Sequence, residues 1–276
     1  MTALRQATAL AAFELRGVTR SHWIAVGGVV FAAAAVAVAI AGLRSFSSLG
    51  LAGAGAVTDG LVHLALLLPP LIGLLLGAGS LARDRERGLL AMLASQPLSR
   101  GLIPLAAFAG CVLAVWAVVA VGLGVGLLLA SAVATAADVA ASGLVLAISL
   151  GATAAAVSLG VLLSATASTH HQATAAAAAL WLLLALGLDL LLAGVAPGLR
   201  LGPVGLLAAV LINPLEAARV LALVALDGAT SLGPFGAYLN ATFGRSGTVW
   251  LLVGTLASWT IMPLGIAGVV TLQRDA

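Results

Sequence analysis

Residues 102–131 run for thirty positions without one charged side chain. A helix crosses a bilayer's hydrocarbon core in about 20 mainly apolar residues. Backbone placed there must satisfy its own hydrogen bonds, so a run of this length reads as a transmembrane helix. Five further windows read the same way: about 23–43, 61–82, 141–164, 173–195 and 249–271. Hydrophobic residues make up 62% of the chain and charged residues 8%, against roughly 45–50% and about 25% in soluble domains. The expected fold is an all-α polytopic membrane protein with six transmembrane helices, one domain over residues 1–276. The first window is too long for a signal-peptide core and follows some twenty ordered-looking residues, so no cleavage is expected.

Arginine placement sets the expected orientation, because inner loops are enriched in basic residues. With the N-terminus inside, Arg5, Arg16, Arg20, Arg83, Arg85, Arg87, Arg100 and Arg274 are cytoplasmic. Arg44, Arg200, Arg219 and Arg245 are then outside. Eight against four favours both termini in the cytoplasm.

Two segments fall outside this six-window pattern. Residues 2–20 are expected to form a helix, in which Arg5, Arg16 and Arg20 would lie within about 60° of one another at about 100° per residue. That stripe suits an interfacial elbow helix lying along anionic headgroups. The second segment, residues 196–248, holds an apolar stretch from Gly202 to Ala225 that is interrupted at Asn213-Pro214 and followed by Glu216 and Arg219. Each half is too short to cross a bilayer. A half-inserted pair of outer helices between spans 5 and 6 is expected, with proline in the first turn of the second helix. Glu216 and Arg219 should lie near the headgroup level.

Within the spans, Asp189 costs roughly 2.5–3.5 kcal/mol if held at the bilayer centre. It is either a protonatable or substrate-contacting group or a carboxylate satisfied by a neighbouring helix. Gly73/Gly77 and Gly122/Gly126 have the four-residue spacing that lets helices approach closely. Pro69-Pro70 predicts a kink or break in the second span. His22 and His63 lie near interfaces, and His170 and His171 fall in a short inner loop. Adjacent histidines do not share a helix face, so the last two make a poor metal pair.

Several functions are excluded. All twelve basic residues are arginine; without lysine the chain cannot supply an ordinary P-loop. Cys111 is the only cysteine, which rules out a disulfide or cysteine metal cluster within one chain. No Ser-His-Asp, paired-carboxylate or metal-ligand constellation is visible, so no catalytic, cofactor-binding or metal residues are assigned. A copper path would use Met, Cys and His ligands, yet of Met1, Met92 and Met262 only Met262 is in a span. The net charge of +3 and sequence pI near 10.4 come from arginines beside spans, and no nucleic-acid partner is expected.

The densest charge lies in Arg83-Asp84-Arg85-Glu86-Arg87, followed by Gly88, the apolar Leu89, Leu90 and Leu93, then Pro97 and Arg100. Five consecutive charges between two spans must sit in water. Glycine before the apolar stripe and proline after it delimit a short amphipathic helix at the membrane face, of the kind that docks into a partner's groove.

This run resembles the first intracellular loop of ABC-2-type transporter permeases, with Glu86, Gly88, Leu89, Leu90, Leu93, Pro97 and Arg100 as the ATPase-coupling residues that resemblance implies. Phe13-Glu14-Leu15-Arg16, Arg20 and Trp23 are similar to that family's elbow helix and its entry to the first span. Six spans with a broken apolar segment before the last are also its layout. Leu188-Asp189-Leu190, Ile212-Asn213-Pro214 and Arg219 further resemble the NosY-type subunits of nitrous-oxide-reductase maturation transporters. Leu89, Ala107 and Pro104 depart from the common family pattern. The resemblance implies a non-catalytic permease in the bacterial cell (inner) membrane, whose ATP is bound by a separate cytoplasmic ABC ATPase. It also implies a homodimer, a periplasmic β-helix protein above it, and a role in assembling the reductase's copper sites. A general ABC-2 exporter of a lipid, drug or polysaccharide is the alternative.

Overall fold

The computed structural model describes residues 26–37, 40, 53–88, 101–130, 136–194, 202–227 and 232–274. Among them every regular element is a helix: α1 Val26–Ala37, α2 Gly53–Glu86, α3 Leu102–Ala130, α4 Ala136–Thr166, α5 His170–Gly194, α6 Pro203–Ile212, α7 Pro214–Asp227 and α8 Gly233–Arg274. Apolar stretches of spanning length occur in His63–Glu86, Leu102–Gly122, Gly143–Thr166 and Gly233–Gln273. The 25 residues of α5 add a rod of about 38 Å at 1.5 Å per residue. The elbow helix expected over residues 2–20 and Leu89, Leu90, Leu93, Pro97 and Arg100, expected to couple to an ATPase, lie outside the described residues.

The centre of the bundle is the crossing of α2 and α4. A Cβ on Gly77 would stand 2.6 Å from the Val157 carbonyl oxygen and 3.0 Å from the Val161 nitrogen. One on Gly160 would meet the Leu74 carbonyl and stand 2.8 Å from the Ala78 nitrogen. The two backbones therefore touch at glycines, the small-residue packing that lipid-embedded helices use in place of a hydrophobic drive. Leu74, Leu81, Val157 and Val161 are fully buried around this crossing. The Gly73/Gly77 spacing thus serves packing inside one chain. Gly122 of the second glycine pair receives the ring of buried Phe31, which fixes α1 on α3.

α2 is helical from Gly53 to Glu86 with Pro69 and Pro70 inside it, so of the kink or break expected there, a break does not occur. Proline at 69 removes the donor that would have bonded the Ala65 carbonyl four residues back. The hydroxyl of buried Ser149 on α4 donates to that carbonyl instead. A neighbour's serine taking up a freed carbonyl is how proline is accommodated inside a membrane helix. Two more ties reach α4: Trp116 Nε1 donates to the Leu150 carbonyl at 3.1 Å, and Ser158 Oγ donates to the Thr260 carbonyl at 2.6 Å.

The last window was expected to begin near residue 249, but helix is already present from Gly233. Gly244, with φ 67° and ψ 172°, interrupts it, a conformation that side chains with a Cβ rarely adopt. The Thr248 hydroxyl then donates to the Gly244 carbonyl at 2.8 Å and approaches that of Leu239 at 3.4 Å. A short helix, Gly233 to Phe243, is thereby packed onto the start of the spanning part, Arg245 to Arg274.

α6 and α7 are bent by 116° at Asn213. α5 starts beside Glu86 and runs away from it. α7 ends near the start of the spanning part of α8, where Arg245 Nη2 donates to the Ala225 carbonyl at 2.9 Å. α7 therefore ends on the face opposite Glu86, and the bent α6–α7 pair is either a broken span or a re-entrant hairpin.

Candidate functional site

At the Glu86 end, consecutive residues of opposite charge close two successive helices. Arg85 Nη1 donates to the Ala167 carbonyl at 2.8 Å and reaches that of Ser164 at 3.5 Å. These belong to the unpaired carbonyls at the C-terminus of α4, the negative end of its dipole. Glu86 Oε1 accepts from the His170 backbone N–H at 2.7 Å, on the positive end of α5. The end of α2, where the charged run 83–87 lies, is thereby fixed on the α4–α5 turn.

The turn carries its own cap. Thr169 Oγ1 accepts from Gln172 N at 3.2 Å, and Gln172 Oε1 accepts from Ser168 N at 3.0 Å. This is a variant of the reciprocal Ser/Thr-x-x-Glu/Gln capping box. It makes His170 the first residue of α5, which corrects the expectation that His170 and His171 lie in a loop. Their ring centroids are 6.1 Å apart. The Arg83 and His170 side chains meet over Gly79, where a Cβ would stand 2.9 Å from Arg83 Nη2 and 3.0 Å from His170 Cε1. Burial, with the Arg83 guanidinium beside it, holds the His170 imidazole below its usual pKa, although Glu86 opposes this. His170 Nδ1 is buried with no hydrogen-bond partner. The Thr169-x-x-Gln172 pattern was the sequence signal for this helix start.

The second part of the site is the hairpin tip. Asn213 is 7% exposed. Its Oδ1 accepts from Leu215 N at 3.0 Å and from Glu216 N at 3.4 Å, capping α7. Its Nδ2 donates to the Leu184 carbonyl at 2.7 Å. Pro214 occupies the first position of α7, where its missing N–H costs nothing. Beside the tip, Trp259 Nε1 donates to the Leu211 carbonyl at 3.0 Å.

Leu184 is near the middle of α5, and Trp259 near the middle of the spanning part of α8. The tip therefore reaches about halfway through the bundle. Glu216 and Arg219, 3.6 Å apart, follow within about 9 Å of helix from Asn213. They thus sit within two helical turns of the tip. Asp189 is in α5, beyond Leu184 as seen from His170; its side chain lies outside the described residues.

These features describe a multi-pass helical membrane protein with a charged clamp at one face and a sharply bent, buried helix pair deeper in the bundle. The ABC-2 family transporter protein profile matches residues 8–276, and the chain belongs to that family. It is 34% identical over 119 residues to the "Probable ABC transporter permease protein NosY" of Stutzerimonas stutzeri, covering 43% of each chain. It is 32% identical over 111 residues to the protein of that name from Pseudomonas aeruginosa, covering 40% of each. Both alignments span less than half of the relative's length.

Proposed function

We propose that this chain is the permease subunit of an ABC transporter, driven by a separate cytoplasmic ATPase that docks on Leu89, Leu90 and Leu93. The Arg85–Ala167 and Glu86–His170 hydrogen bonds carry this reading. They join the base of the docking segment to two helices at once, so a push on the segment is delivered to α4 and α5 together. The functional unit contains two copies of the chain, one for each nucleotide-binding subunit of an ATP sandwich. Both termini are cytoplasmic, the hairpin faces outward, and the chain itself carries no cofactor.

The conformational change serves maturation of nitrous oxide reductase copper sites, with a periplasmic β-helix protein as the outer partner. The similarity to the NosY-named permeases supports this role. A conformational role also suits Met262, which is 64% exposed on α8 and turned away from the bundle interior.

The test is complementation in a host that makes nitrous oxide reductase. Loss of the chain should leave the reductase without functional copper sites, and the wild-type gene should restore them. Leu90→Ser/Leu93→Ser should remain in the membrane, fail to co-purify the ATPase and fail to restore the reductase. Full copper sites without the chain would overturn the maturation role. Undiminished ATPase co-purification by the double variant would overturn the docking role.

A further inference from the structure

A groove of about 370 Å³ lies between α4, α7 and α8, lined by residues including Leu144, Gly151, Leu221, Val249, Val253 and Leu256. Thr260 sits at its deep end, where Ser158 Oγ holds the Thr260 carbonyl. At the other end, Arg245 Nη2 donates to the carbonyl of Ala225, itself a lining residue. Arg245 lies one helical turn from Val249. Trp250, 72% exposed, adds the amphipathic ring that favours the headgroup level.

The dimensions identify an occupant. From Val249 to Thr260, α8 rises about 16 Å, close to half of a hydrocarbon core about 30 Å thick. The groove thus reaches from the bilayer middle to the headgroup layer. A helix of that length, about 10 Å across, would fill on the order of 1,000 Å³, so the recess is too small for one. Apolar walls give water few partners. An acyl chain fits both the volume and the walls.

The charge is at the headgroup end. A guanidinium has five N–H donors in a fork that matches phosphate, and the bond to Ala225 fixes its position. We propose that this groove binds one acyl chain of a phospholipid from the leaflet opposite Glu86, with the lipid phosphate on Arg245. The site does not depend on which transporter the chain serves. Because Leu221 and Ala225 of α7 form one wall, the lipid braces the hairpin against α4 and α8.

The test uses the full-length chain, delipidated in detergent and titrated with phosphatidylglycerol under native mass spectrometry. One lipid per chain should bind more tightly than the rest. Arg245→Gln should weaken that site roughly five-fold, the equivalent of about 1 kcal/mol for one arginine at an anionic headgroup. Ala147→Leu/Ala257→Leu, at two exposed lining positions, should fill the groove and abolish the tight site without lowering the thermal midpoint. Diacylglycerol, which lacks the phosphate, should bind wild type and Arg245→Gln alike. Equal phosphatidylglycerol affinity in wild type and Arg245→Gln would overturn the proposal. So would a groove-filling variant that keeps its lipid but loses self-association, which would make the occupant a second copy. If the filled variant does not fold, the comparison of the two lipids on Arg245→Gln decides alone.

Discussion

The side-chain amide of Asn213 donates to the Leu184 carbonyl at 2.7 Å while its oxygen caps α7. One residue thus ends α6, starts α7 and fastens both to the middle of α5. The hairpin cannot shift along α5 without breaking this bond.

Asn213→Ala should lower stability by about 1–2 kcal/mol, the usual cost of losing an N-cap, with a further loss for the unpaired buried groups. Asn213→Asp keeps the acceptor for α7 but sets a carboxyl oxygen against the Leu184 carbonyl in a buried site, so it should be at least as destabilising as alanine. Thermal unfolding in detergent measures both. An alanine variant as stable as wild type would show that the cap contributes nothing.

The Gly77–Gly160 crossing predicts a sharp contrast between glycines. Gly77→Val forces a side chain onto the α4 backbone and should cost about 1–3 kcal/mol or more. Its folded yield from membranes should drop accordingly. Gly265→Ala adds a Cβ with nothing within 4 Å and should leave the yield unchanged. Equal yields would mean that α2 and α4 do not meet at these glycines.

Glu86→Ala removes the acceptor of the His170 amide. Hydrogen exchange over residues 170–172 should then quicken about five-fold, corresponding to a cap contribution of about 1 kcal/mol. Glu86→Gln retains a neutral oxygen and should show a smaller change. Exchange at α3, remote from the clamp, is the internal control. Unchanged protection in the alanine variant would remove Glu86 from the α5 cap.

His170 gives a pH dependence with a definite sign. Its folded pKa is lowered, so the unfolded chain binds more protons below the usual histidine value of about 6.5. Stability is therefore retained above that value and lost as pH falls through the lower, folded pKa. The thermal midpoint of the wild type should drop between about pH 7 and pH 5. His170→Gln should lose less over the same interval, and an identical pH profile would contradict this assignment.

What the sequence disclosed depended on the range of the interaction. Asn213-Pro214 was legible as an interruption because asparagine before proline is a local helix-start signal. The beginning of α5 was equally local, encoded in the Thr169-x-x-Gln172 cap. The helix before Arg245 was hidden because Gly244 is one of 33 glycines, and the bonds that dock that helix come from Thr248. Glu86 stood out as a charge in an apolar chain, yet its bond to His170 spans 84 positions. No local pattern encodes that pairing. The depth of the Glu216–Arg219 pair likewise follows from where Leu184 and Trp259 hold the tip.

The bond from Ser149 to Ala65 has a bearing on how the chain is made. The two residues are 84 positions apart, so α2 is synthesised well before the helix that supplies its missing donor. Until α4 enters the bilayer, the Ala65 carbonyl lacks this partner in a medium that offers no water to replace it. The second helix is therefore complete only in company, and the order in which helices leave the ribosome sets how long it must wait.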